Sequence, residues 1–376
     1  MLERWTRLGV GVACAGALAL GLAACGGGDD GGTTTGAGTA GGSGTSGASE
    51  SAGANAIAAS GATFPAPAYQ RWGQESGLVS YAGTGSGAGI QSLINGVVAF
   101  AGSDAPLTPD ERSQLASSRG GVTPVYFPTL LGAVTVPANV QGVNTPLKLT
   151  GAALAGIFSG GISRWNDPAI ASTNSGVSLP DAPIVACVRA DSSGTSFNFS
   201  TYLDKVSPEF KGKVAASKTP AWTAPNVQKA PGNPGVAQCV KSNSNSIGYV
   251  DLGDAQRAGL GARLAAVRNA SGQFVRPTTA SISAAGKLTA AQVPKDLTPD
   301  LTNSPASGAY PIAITTWIVA YSNYEKAGAA SRLSGTKQFL QYVYAPKAQN
   351  QLPGLGYAPL PPALATPAKA QISTLT

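Results

Sequence analysis

Residues 189–200 read RADSSGTSFNFS, a guanidinium and a carboxylate two positions apart, followed by small hydroxyl residues and a glycine. An apolar run, APIVACV at 182–188, leads in, and SFNFSTYLDKV at 196–206 reads as a helix. Ser, Thr and Asp at a helix start are the usual N-cap residues. The same set can cradle an oxyanion, because free backbone N–H groups, hydroxyls and a guanidinium all offer protons at one place. This stretch alone leaves both readings open.

Three further junctions put small polar residues where a strand gives way to a helix or loop. Thr63 and Phe64 precede Pro65 in SGATFPAPAYQRW, Ser86 stands among glycines in YAGTGSGAGIQSL, and Asp104 ends a strand-like run in AGSDAPLT. Each could be a turn beside a cap. The glycines around Ser86 depart from the dinucleotide fingerprint at Ala88 and lack the Gly-Lys-Ser/Thr ending of a nucleotide loop. Four such junctions, one carrying Arg189, favour a shared oxyanion cleft. The chain has no histidine, which excludes Ser-His-Asp and Cys-His catalysis in their common forms, as well as His-ligated metal sites. No metal or cofactor is expected.

The elements that must position these residues alternate along the chain. LVSYAG (78–83), VAFAGSDAPL (98–107), TPVYFPTLLGAVTVPANV (123–140), APIVACV, SIGYVDL (246–252) and AYPIAITTWIVAYS (309–322) read as strands. Helical patterns fall at 89–97, 196–206, 233–243 and 335–352, and the stretch 150–172 starts as a helix and then loops. This alternation predicts α/β domains with mainly parallel sheets, whose ligands sit beyond the C-terminal ends of the strands. The net charge of +7 comes from scattered Lys and Arg, with no basic run carrying interleaved aromatics, so no nucleic-acid partner is expected.

The first residues are a different kind of sequence. Arg4 and Arg7 precede an apolar stretch ending in LAAC at 22–25, and Gly and Asp follow abruptly. This is the layout of a secretory signal, and LAAC resembles the lipobox of bacterial lipoproteins, in which the cysteine is lipidated. The expectation is a signal peptide at 1–24, a lipid on Cys25, and a Gly/Ser/Thr linker through residue 56. Such a chain is anchored at the outer face of the bacterial cell membrane without spanning it. Of the four cysteines, that leaves Cys187 and Cys239, which are expected to form a disulfide in an exported protein. About 320 residues remain from 57 onward, a length that suits two domains.

SGATFPAPAYQRW, GSGAGIQSL, FAGSDAPLT, ISRWNDPAI, RADSSGTSF, SIGYVD and GYAPLP occur in the order found in the phosphate-binding proteins of bacterial phosphate ABC transporters, and residues 57–376 resemble that family throughout. The resemblance implies a two-lobe, periplasmic-binding-protein-like (Venus flytrap) α/β fold. One lobe would combine 57–128 with 308–376, the other would be 129–307, and the crossings would lie near 127–132 and 307–312. Carried over by position, the phosphate-binding residues are Thr63, Phe64, Ser86, Asp104, Arg189, Ser193, Gly194 and Thr195, with Asp191 pairing with Arg189. Ser192 departs from the glycine that many relatives have there, and would be strained if that position needed positive φ. The segments 211–230 and 260–305 follow the family poorly and receive no role.

The implied function is a monomeric, non-enzymatic solute-binding lipoprotein that captures inorganic phosphate and delivers it to a membrane permease. Asp104 would accept a hydrogen bond from the phosphate O–H and repel sulfate, which has no proton to donate. The alternatives are an exported phosphate-ester hydrolase using Ser193 or Thr195, and a surface antigen or adhesin on the same fold.

Overall fold

The computed structural model describes residues 56–376. The expected signal peptide, Cys25 and the linker up to residue 55 lie outside the described residues. Among the described residues, no helix is long and apolar enough to cross a membrane.

The longest apolar runs become the centre of the first lobe. β4 (Pro124–Thr135) is buried from its third residue onward, and β13 (Ala313–Tyr321) is buried throughout. The two run antiparallel along their whole lengths, with a register shift between Thr316 and Trp317. Pro128 falls at that irregularity, where a strand residue without an N–H is tolerated. β1 (Ile57–Gly61), β2 (Val79–Gly83), β3 (Ala101–Ser103) and β10 (Val250–Asp251) complete a six-stranded sheet in the order β10-β4-β13-β3-β1-β2. β1 is parallel to β2 and β3, but β13 is antiparallel to β3 and β4, and β10 is antiparallel to β4. The expectation of mainly parallel sheets is therefore corrected for this lobe. β13 returns from a distant part of the sequence and enters between two earlier strands, a long-range choice that local alternation does not encode.

The second lobe is built on β5 (Ala138–Asn139), β9 (Ser246–Gly248), β7 (Val185–Arg189) and β8 (Val227–Ala230), in that spatial order. β7 is parallel to both its neighbours. A three-stranded sheet orders β12 (Phe274–Val275), β11 (Ala266–Arg268) and β6 (Lys148–Leu149). The chain leaves the first sheet after Thr135 and enters the second at Ala138, so residue 128 falls inside β4 rather than at its end.

The N-terminal segment of the first lobe carries α1 (Ala66–Ser76), α2 (Ser86–Ile94) and α3 (Pro109–Ser118). α3 starts with a capping box between Thr108 and Glu111, and α1 ends at Gly77, whose φ of 68° needs no Cβ. The second lobe carries α4 (Gly151–Phe158), α5 (Pro168–Ala171), α6 (Gly194–Val206), α7 (Pro208–Lys213) and α8 (Gly232–Ser242). The helix expected at 335–352 is interrupted, running as Leu333–Val343 and Pro346–Gln349, because Pro346 cannot donate to a continuing helix.

Packing fixes the junction between β7 and α6. Phe199 on α6 stacks on Tyr249 at a centroid distance of 4.6 Å and meets Phe158 edge-on at 4.9 Å. Trp222, partly buried, packs against this cluster. Cys187 on β7 and Cys239 on α8 form a disulfide, their Cα atoms 6.0 Å apart, which ties the helix to the strand that ends in Arg189.

Candidate functional site

Arg189 is the last residue of β7, and its side chain is 1% exposed. A buried guanidinium needs acceptors, and Asp191 is the principal one. Nε donates to Oδ1 at 2.8 Å and Nη2 to Oδ2, a fork on a fork. The spacing of two along an extended chain turns both side chains the same way, as expected from sequence. Burial opposes ionisation of Asp191, but the Arg189 guanidinium and the Gly232 N–H outweigh it and hold the carboxyl below its ordinary range.

The next turn is both a cap and a cradle. Ser193 is the N-cap of α6, its hydroxyl accepting from the Ser196 N–H at 3.1 Å. Gly194 is the first helical residue, and its N–H points out of the lobe to Ser86 Oγ at 3.1 Å. Thr195 is fully buried beside Arg189, accepting from Nη1 at 3.4 Å.

The first lobe contributes Ser86, the first residue of α2, whose hydroxyl also accepts from the Asp104 N–H at 3.4 Å. Asp104 follows β3 and is almost wholly buried. Its Oδ1 accepts from the Thr316 hydroxyl at 2.7 Å. Burial pushes the Asp104 carboxyl up to about 7, against the opposing pull of Thr316 and Arg189. Thr63 Oγ1 accepts from the backbone N–H of Asn233, at 3.1 Å, and the Phe64 carbonyl accepts from Tyr357.

These contacts join the lobes. Ser86 to Gly194, Thr63 to Asn233, and the Asn198 amide to the Asp104 carbonyl all cross the cleft. The glycines that stood out around Ser86 serve this approach. A Cβ on Gly85 would lie 2.3 Å from Asp191 Oδ2, and one on Gly87 would lie 2.4 Å from the Ser192 Cβ. The Gly87 N–H instead donates to the Ser192 carbonyl at 3.0 Å. Ser192 is not among the residues with positive φ, so serine sits there unstrained.

All eight residues expected to hold the anion, with Asp191, therefore lie at one junction between the lobes. The sequence reading missed Asn233, Asn198 and Thr316, which touch them, and also Lys218. The Lys218 carbonyl accepts from the Ser193 N–H at 2.9 Å, while its ammonium pairs with Glu111 of α3 across the cleft. A polar residue opening the helical run at 233 was the one available signal for Asn233. Lys218, in a segment of no regular pattern, offered none.

Chemically, the junction offers a buried guanidinium, a helix N-terminus and the four hydroxyls of Thr63, Ser86, Ser193 and Thr195 around one buried carboxylate. That combination fits a tetrahedral oxyanion carrying its own proton.

A family model described as a PBP superfamily domain matches residues 36–347. The chain is 35% identical over 314 residues to the phosphate-binding protein PstS of Xylella fastidiosa, strain Temecula1, covering 82% of each chain. It is 35% identical over 276 residues to that of Pasteurella multocida, covering 72% of this chain and 77% of the relative. Among solved structures, it is similar to a high-affinity periplasmic phosphate-binding protein (PfluDING) bound with phosphate. There the TM-score is 0.70 and the identity 26%, over 84% of this chain and 93% of the other.

Proposed function

This chain belongs to the PstS phosphate-binding protein family of the PBP superfamily, and we propose that it captures inorganic phosphate between its lobes for import by an ABC permease. The observation that carries the reading is the meeting of the α6 N-terminus and Arg189 on one lobe with the buried Asp104 carboxyl on the other. The backbone N–H groups of Thr63, Phe64 and Gly194, the hydroxyls of Thr63, Ser86, Ser193 and Thr195, and the Arg189 guanidinium donate to phosphate oxygens. Asp191 holds the guanidinium flat and limits the net charge. In the arrangement described, Ser86 and Gly194 bond to each other; phosphate takes up both donors in their place.

Asp104 supplies selectivity. Phosphate near neutral pH retains at least one proton and can donate it to an ionised carboxylate. Sulfate has none, so its oxygens meet the carboxylate with unrelieved repulsion in a site shielded from water. Charge-assisted bonds are about twice as strong as neutral ones, which makes Arg189 the leading donor.

One lobe combines 57–128 with 308–376 and the other is 129–307, with β4 running on to Thr135 and β10 pairing back onto it, so the first sheet draws strands from both sides of that division. The protein acts as a monomer, anchored through Cys25 at the outer face of the cell membrane. It is a binder rather than a hydrolase. Ser193 caps a helix, Thr195 accepts from Arg189, and the histidine that would activate either is not in the sequence.

Isothermal titration of the anion-stripped protein with phosphate tests this reading. Saturable one-to-one binding is expected, with no turnover of a chromogenic phosphate ester. Absence of phosphate binding, or ester turnover that Ser193→Ala abolishes, would overturn it.

A further inference from the structure

Asn233, the second residue of α8, is fully buried and has no place in the set of phosphate donors above. Its side chain touches two of them. Oδ1 accepts from Arg189 Nη1 at 3.2 Å, and Nδ2 donates to Thr195 Oγ1 at 3.3 Å. The orientation of the amide follows from its neighbours. A guanidinium only donates, so the oxygen must face Arg189 and the NH2 group must face Thr195.

The consequence falls on Thr195. A hydroxyl has one proton and two lone pairs. Thr195 Oγ1 accepts from Asn233 Nδ2 and from Arg189 Nη1, so both lone pairs are engaged from the protein side. Its single proton is left to donate elsewhere, and an anion is the partner that wants it.

We propose that Asn233 is a positioning residue that sets the hydrogen-bond polarity of the site, fixing Arg189 with its oxygen and committing the Thr195 hydroxyl to donate to phosphate with its NH2 group. The inference rests on the phosphate reading above and deepens it. The backbone of the same residue donates to Thr63 across the cleft, so the polarity is set as the lobes meet.

The test is a double-mutant cycle read by phosphate titration of the full chain. In Asn233→Asp the carboxylate still accepts from Arg189, but it now also accepts the Thr195 proton and turns that hydroxyl away from the anion. Thr195→Val should weaken phosphate binding by about tenfold in the otherwise wild-type chain, the worth of one hydrogen bond to a charged group. In the Asn233→Asp background, the same change should cost less than about twofold. If Asn233→Asp does not fold, Asn233→Ala replaces it, and there the Thr195→Val penalty should fall by at least about threefold, because Arg189 then engages only one lone pair and the hydroxyl proton is no longer committed to the anion. An equal Thr195→Val penalty in both backgrounds overturns the proposal. Wild-type protein that ignores phosphate would instead overturn the underlying reading, so the two failures are distinguishable.

Discussion

Gly194 and Asp104 approach from opposite lobes so closely that a Cβ on Gly194 would lie 2.6 Å from the Asp104 Cβ. Real side-chain carbons do not come so near. The glycine is in the first turn of a helix, where alanine suits the backbone at least as well. Gly194→Ala should therefore leave the thermal midpoint within a few degrees of wild type. It should weaken phosphate binding on the order of a hundredfold, because the lobes cannot close fully. Titration and thermal melts on the same preparation separate the two effects.

Asp104 makes a prediction about selectivity. Asp104→Asn replaces an acceptor-only carboxylate with an amide that can donate. The variant should bind sulfate with an affinity within about tenfold of its phosphate affinity, whereas the wild type discriminates far more strongly. Competition titration measures both. A variant that still ignores sulfate would place the discrimination elsewhere.

The same carboxyl links stability to pH. Burial raises it to about 7 from an ordinary value near 4, so the folded protein holds a proton that the unfolded chain releases. Stability from this group is fully present below about pH 4 and is lost as pH rises through 7. Between pH 5 and pH 8 the anion-free wild type should lose more unfolding free energy than Asp104→Asn does. Urea denaturation at the two pH values shows the difference in slope.

Lys218 and Glu111 form an ion pair across the cleft, with side chains only 9% and 13% exposed. Lys218→Met leaves Glu111 partly buried and unpaired while keeping the backbone carbonyl that holds Ser193. Phosphate should then dissociate about tenfold faster, and adding Glu111→Gln should recover part of the loss. Stopped-flow displacement of phosphate reads the rate directly.

The Cys187–Cys239 disulfide spans 52 residues of sequence. The loop-closure model gives about 4 kcal/mol for a loop of that length. Replacing both cysteines by serine should lower unfolding free energy by about that amount. The loss of phosphate affinity should be smaller, since Arg189 keeps Asp191 and Asn233. Denaturant melts under oxidising and reducing conditions check the first figure in the wild-type protein.

Much of the site was legible because its residues lie at local junctions. Arg189, Asp191 and the hydroxyls after them sit within seven positions, and strand geometry and capping rules say where they point. Asp104 was legible as a polar junction at the end of a strand, and its part beside the anion donors came from the resemblance to the family. What the sequence did not disclose is long-range. Asn233 meets Arg189 across 44 residues, Thr316 reaches Asp104 across 212, and Lys218 meets Glu111 across 107. None of these pairings follows from periodicity. The antiparallel entry of β13 between β4 and β3 was hidden for the same reason, since an apolar run shows burial but not direction. The glycines around Ser86 looked like a loop motif, and only the close approach of Asp191 and Ser192 explains two of them.

The account rests above all on Asp104 reading the proton of the bound anion. The most direct measurement is phosphate titration of the wild-type protein near pH 8, with and without a large excess of sulfate at matched ionic strength. The account predicts the same phosphate affinity in both. A phosphate affinity that falls in proportion to the sulfate present would contradict it.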